Sequence, residues 1–312
     1  MRVFDLHCDT LTLCKRKGWT LDNGQNHLHL SDAQDFDSYV QLYAIFIPDE
    51  IRGLQAENFF SIHNVFYRRQ LAESEGKLRD IHSAKTLAQA AEHRGMSGIL
   101  AVEGGSVLHG SLDMVTVLAN AGVRSLTLTW NGNNEIAGGV GDDGRLTGFG
   151  KEAIREMERL HIAVDVSHLN DQSFWEVLET AEKPVIATHS NARSVCPHRR
   201  NLTDEMFTAI AEKGGLVGLN FARDFIAPAG ETANLPAMAR HLEHFLELGG
   251  EDTLAIGSDY DGADIDECID RPQKLKKLYQ TLLDDGIGQQ TVDKIFFGNA
   301  FRFFSRLYAG EL

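Results

Sequence analysis

A repeated alternation constrains this chain more than any other feature. Short apolar runs recur at 3–6, 39–47, 98–102, 124–129, 162–166, 184–188, 215–221 and 253–257, with helical patterns between them. Several runs are continuous and β-branched, such as Val185-Ile186-Ala187-Thr188. Strands buried on both faces read this way, and such strands build parallel sheets covered by helices. Helical patterns fall at 57–73, 84–94, 112–121, 150–160, 171–181, 203–213 and 236–248, and the tail at 273–307 reads as two or three helices. The segment at 203 opens Thr-Asp-Glu, an N-cap followed by acids that suit the positive end of the helix dipole, and Pro236 suits a first turn. Eight strands alternating with helices, without linker or repeat, predict an α/β fold: a (β/α)8 TIM-like barrel over 1–312, one domain with C-terminal helices. An open doubly wound sheet is the alternative. No G-x-G-x-x-G or Walker pattern follows the first run, which weighs against a nucleotide-binding sheet.

The chain has 312 residues, and α/β barrels commonly use about 250 or more. Its formal net charge of -15 repels phosphate backbones and anionic membranes, so no nucleic-acid or membrane partner is expected. No stretch approaches the roughly 20 apolar residues of a membrane span, and no apolar leader precedes the first run. A cytoplasmic protein is the expectation. Cys8, Cys14, Cys196 and Cys268 form no C-x-x-C pair and are expected to be reduced thiols.

In a parallel barrel all strand C-termini open on one face, where active sites gather. Five runs end there in residues able to bind metal or move a proton. The first ends in His7-Cys8-Asp9, whose i, i+2 spacing would send His7 and Asp9 to one face. The third ends in Glu103, the fifth in His168, the sixth in His189 and the eighth in Asp259-Tyr260-Asp261. A single His at a strand end is most often structural, but five coincident ends argue for a shared site. Three histidines with three carboxylates suit two divalent ions, one carboxylate bridging and another left to carry a proton. Other histidines are expected to be bystanders. His27 and His29 lie outside a clear strand end, His241 and His244 read as solvated helix residues, and His63, His82 and His93 as helix-surface residues. The glycine-rich stretch 138–144 reads as a flexible active-site loop or as a plain surface turn.

Seven segments together resemble one family. They are Phe4-Asp5-Leu6-His7-Cys8-Asp9-Thr10, Val102-Glu103-Gly104-Gly105, Gly122-Val123-Arg124-Ser125-Leu126-Thr127-Leu128-Thr129, Asp165-Val166-Ser167-His168, His189-Ser190-Asn191-Ala192-Arg193, Arg199-Arg200-Asn201-Leu202 and Gly257-Ser258-Asp259-Tyr260-Asp261-Gly262. Over nearly its whole length the chain resembles the membrane dipeptidase (renal dipeptidase) family of dizinc peptidases. Related amidohydrolases usually carry H-x-H on the first strand and often a modified Lys bridge; Asp9 and Glu103 take those places here.

The resemblance implies two zinc ions per chain. His7 and Asp9 would bind one, His168 and His189 the other, and Glu103 both. It implies that Asp259 is the acid/base beside a metal-bridging hydroxide, and that Arg200 binds the substrate's C-terminal carboxylate. The implied substrates are small dipeptides, L,D-dipeptides among them, and the implied assembly is a homodimer. One departure stands out. The family often has a His after the segment ending at Thr129, where this chain has Trp130-Asn131. That leaves the substrate-holding role vacant or refilled by Asn131, so both residues are substrate-binding candidates. Two other readings compete: a metal-dependent amidohydrolase acting on another amide, a lactam or an ester, and a catalytically idle binding homologue.

Overall fold

The computed structural model describes residues 1–312. Nine strands form one parallel sheet: β1 (Arg2–Cys8), β2 (Ser38–Phe46), β3 (Leu78–Asp80), β4 (Met96–Glu103), β5 (Val123–Thr127), β6 (Ala163–Asp165), β7 (Ile186–Ala187), β8 (Leu216–Leu219) and β9 (Leu254–Ile256). β1 pairs with β2, β2 with β4, and the ladder then runs in order to β9, which returns to β1. The result is a closed eight-strand (β/α)8 barrel with one extra strand. That extra strand is β3, which pairs with the start of β4 before β5 takes over that edge at Leu100. It has three residues, too few to show an alternation, and sequence reasoning passed over it.

The helices are α1 (Thr10–Lys17), α2 (Leu54–Glu73), α3 (Ala84–Ala91), α4 (Asp113–Asn120), α5 (Gly148–Arg159), α6 (Asp171–Thr180), α7 (Asp204–Glu212), α8 (Arg223–Ile226), α9 (Leu235–Glu247), α10 (Leu275–Asp284), α11 (Gln289–Asp293) and α12 (Asn299–Tyr308). α1 was also unforeseen. It starts directly after Asp9, and its two threonines are weak helix formers. Thr203 caps α7 as expected, its side chain accepting from the Met206 N–H. No helix is long and apolar enough to cross a membrane, and all four cysteines are unpaired thiols.

Alternation along the strands separates two cores. Val40, Leu42, Ile99, Ala101, Ile186, Leu216 and Ala255 belong to a 19-residue cluster that fills the barrel interior. Phe297, Phe303 and Phe304 close its lower end, with Phe4 stacked on Phe304 at 5.3 Å between centroids. A 72-residue cluster packs the outer face of the sheet against the helices. Glu103 continues the inward parity of Ile99 and Ala101, so β4 delivers its carboxylate to the upper lumen without distortion.

β1 does not follow simple alternation. Phe4 and Leu6 belong to the lumen cluster, while Val3 and Cys8 belong to the outer one. Asp5 pairs with Gln41 and Cys8 with Tyr43, so three residues of β1 advance against two of β2. This bulge reverses the parity and turns His7 inward with Leu6. Across the lumen, Gly218 and Gly257 sit where any Cβ would strike the Thr188 carbonyl, which holds β7, β8 and β9 close together.

Candidate active site

A cavity of about 350 Å³ opens at the C-terminal end of the barrel, lined in part by Asp9, Glu103, His168, Arg200 and Asp259. At its floor the side chains converge on Glu103. The Glu103 Oε2 lies 3.5 Å from His7 Nε2, which is itself 3.5 Å from Asp9 Oδ2 and 3.9 Å from Asp259 Oδ1. The Glu103 Oε1 lies 2.9 Å from His168 Nε2 and 3.6 Å from His189 Nε2. One carboxylate therefore faces two donor groups, one oxygen toward each. Two of these residues need unusual backbone. His168 and Asp259 have φ of 69° and 62°, the left-handed region that non-glycine residues enter at a cost. Their strands end on turns that aim the side chains inward.

Hydrogen bonds fix which imidazole nitrogen faces the cluster. His168 Nδ1 donates to the Asn131 side-chain oxygen at 3.0 Å. His189 Nδ1 donates to Thr188 Oγ1 at 2.8 Å, because that hydroxyl gives its own hydrogen to Asp165 Oδ2 at 2.6 Å. Both Nε2 atoms are therefore left as lone pairs, 2.9 Å apart. Burial holds both rings neutral, with His168 pushed down to about 4 and His189 well below its usual value. On the other side burial pushes Asp9 up to about 6 and Asp259 up to about 7. The charge of Glu103 adds to both shifts, Asp9 also raises Asp259, and His7 opposes both. Burial lowers His7, but the charges of Glu103 and Asp9 outweigh it and raise the ring well above its usual value; a cation at Nε2 would take the place of that proton.

This donor set fits a cation. Two opposed lone pairs, crowded carboxylates, and the unpartnered buried atoms His7 Nε2 and Asp9 Oδ1 all lack what a divalent ion supplies. Mixed imidazole and carboxylate donors suit zinc among the common ions.

Several supporting residues escaped sequence reasoning. Asp165 accepts from Thr127 Oγ1, Thr188 Oγ1 and the Ser167 and Thr188 N–H groups, and so orients His189 through Thr188. Asp5 accepts from the N–H groups of His7 and Ser258, tying together the strand ends that carry His7 and Asp259. Asn220 donates to Asp259 Oδ2 at 3.1 Å. A carboxylate inside an apolar run, as in Val164-Asp165-Val166, was the available signal.

Arg200 is buried beside the cluster, donating to the His189 carbonyl at 3.3 Å and lying 5.5 Å from the Phe225 ring centroid. Its Nε has no partner, and burial pushes it down to about 10. Asn131 and Trp130 both line the cavity, with Asn131 committed through its side-chain oxygen to His168. The glycine-rich stretch is neither a loose flap nor a plain turn. The Gly141 N–H donates to the Asn131 carbonyl, the Val140 N–H donates to the His168 carbonyl, and a Cβ on Gly139 would lie 2.5 Å from the carbonyls of Asn131 and Gly132. It clamps Asn131.

The remaining histidines are placed as follows. His241 is fully buried rather than solvated, because α9 turns it toward Ala192 and Ile226. His63 is buried too, with Nδ1 on the Phe59 carbonyl and its ring stacked on Phe59. His27 borders the site loop, its Nδ1 accepting from the Asp261 N–H. His244 is half-buried and pairs with Asp204.

Comparisons with known proteins bear on the family and the fold. The family described as membrane dipeptidase (peptidase family M19) matches residues 1–309. A Klebsiella pneumoniae protein, described as an uncharacterized protein in the pqqA 5′ region, is 33% identical over 246 residues, covering 75% of this chain and 91% of that one. A crystal structure of a metallopeptidase from Rhodobacter sphaeroides, liganded with a phosphinate mimic of the dipeptide L-Ala-D-Ala, superposes with a TM-score of 0.91. It is 27% identical and covers 100% of this chain and 99% of that one. A second structure, the metallopeptidase dipeptidase AC of family M19, has a TM-score of 0.90 and 28% identity, covering 99% of both chains.

Proposed function

The chain belongs to the membrane dipeptidase family of metallopeptidases, peptidase family M19, and from that premise we propose that it is a dizinc dipeptidase. Its substrates are short peptides with a free C-terminal carboxylate. The observation that carries the two-ion reading is Glu103, with one oxygen toward the His7–Asp9 side and the other toward the His168–His189 side. His7 and Asp9 would hold one ion and His168 and His189 the other, with Glu103 serving both. Zinc bound there would supply Lewis-acid polarisation of the peptide carbonyl and a water acidic enough to ionise near neutral pH.

The chain's own residues do the rest. Asp259 overhangs the cluster, and its carboxylate takes the proton of the attacking water and delivers it to the leaving amine. Asn220 holds the opposite carboxylate oxygen and keeps Asp259 in place. Arg200, short of partners in a buried wall, receives the substrate carboxylate and restricts the site to peptides that end one residue beyond the scissile bond. The dipeptide mimic held by the Rhodobacter sphaeroides relative supports a D-residue at that end.

The test is a panel of L,L and L,D dipeptides assayed with metal quantified on the same sample. Cleavage with about two metals per chain is expected; no cleavage by the metal-loaded protein refutes the reading. Trp130, where the family often has His, favours one second reading, a hydrolase of another amide, lactam or ester on the same scaffold. Competition kinetics between a dipeptide and such a substrate separates the two.

A further inference from the structure

β4, which carries Glu103, lies between β2 and β5 in the barrel. Phe46 ends β2 and Trp130 follows β5, so the two side chains rise on either side of Glu103. Their rings meet edge to face, with centroids 4.9 Å apart and planes at 70°. Both are half-buried and line the cavity, as does Leu13 from α1, the helix packed against β2. These three residues give one wall an apolar, largely aromatic surface. Trp130 also approaches the His168 ring, 6.5 Å between centroids, so this surface reaches the edge of the donor cluster.

Arg200 stands opposite the Phe46 end of this wall. It follows β7, and β7 lies four strands from β2 in either direction around the eight-strand ring. A peptide with its carboxylate on Arg200 and its scissile carbonyl over the cluster carries the preceding residue to the wall of Phe46, Trp130 and Leu13. We infer that these three side chains form an aromatic subsite for the residue on the N-terminal side of the scissile bond. The preferred substrates are then dipeptides that begin with a large aromatic or aliphatic residue, not with Gly. The inference rests on the dipeptidase reading for the direction in which the peptide lies. Its physical basis is burial of apolar surface against rings that already face each other and need little reordering. Trp130 has no titratable group, so its place beside His168 gives it contact with the substrate rather than proton transfer.

The test uses the metal-loaded full chain and two phosphinate dipeptide mimics that differ only in their first residue, Phe-like or Gly-like. Calorimetry gives both Kd values without requiring turnover, and cleavage of the matching Phe-first and Gly-first peptides is measured alongside. The Phe-like mimic is expected to bind about 10-fold tighter or better. Trp130→Ala or Phe46→Ala should bring the ratio to about 3 or less, and Trp130→Phe should restore most of it, with metal content equal in all variants. A wild-type ratio near one overturns the inference even if dipeptides are cleaved. A strong ratio with no cleavage supports the subsite and removes the dipeptidase reading instead.

Discussion

His241 offers a sharp test of the packing around the Arg200 loop. It sits on α9 with no exposure. Its Nε2–H donates to the Ile226 carbonyl at 2.9 Å, and its Nδ1 accepts the Ala192 N–H at 3.1 Å. Ala192 begins the segment that bridges back at Leu202 and carries Arg200. A second proton would have to occupy Nδ1, against an N–H already pointing at it. Burial is the main reason that the His241 imidazole is pushed from 6.5 down to about 4. The folded-state value thus lies below the unfolded one. The stabilisation is complete above about pH 6.5 and is lost as pH falls toward 4, because the unfolded chain takes up the proton first. Linkage puts the loss at about 2 kcal/mol between pH 7.5 and 5, and about 3 kcal/mol by pH 4. Urea unfolding of wild type and His241→Gln at pH 7.5 and 5.0, under identical metal loading, isolates this contribution, since every other titrating group cancels in the difference. Wild type should lose about 2 kcal/mol more than the variant. Parallel losses, agreeing within about 0.5 kcal/mol, would refute the buried neutral state of His241.

Three further outcomes follow from the site. Asp259→Asn should lower kcat by about 10³ while metal content stays intact; loss of metal from that variant would make Asp259 a ligand. Arg200→Ala should raise KM for dipeptides by about 10- to 100-fold, the worth of a charge-assisted hydrogen bond, and an unchanged KM removes the carboxylate role. Asn131→Ala should weaken metal binding by about 10- to 100-fold in a chelator competition, because His168 loses the partner that fixes its tautomer. Unaltered metal affinity there would mean that packing alone orients the ring.

Much of this molecule was legible in the chain. The eight apolar runs became the eight barrel strands, because a strand buried on both faces has a composition visible without its neighbours. The strand-end residues were visible for the same local reason, and closure of the barrel brought His7, Asp9, Glu103, His168, His189 and Asp259 to one mouth. Glu103 shows how far simple alternation carries, since it keeps the parity of Ile99 and Ala101.

His7 shows where alternation stops. Counting by twos from Val3 would put it outside the barrel, and only the slipped register between β1 and β2 turns it inward. Register is a property of two strands, so one strand's residues do not encode it alone. The same holds for Asn131, whose tie to His168 depends on the folded glycine stretch, and for His241, whose helical spacing reads as surface until the Arg200 loop packs over it. The sequence by itself determined the periodicity, the strand ends and the chemistry gathered at them. The tertiary structure decided which nitrogens face the cluster, which histidines are buried and which side chains line the cavity beside it, because each depends on contacts between segments far apart in the chain.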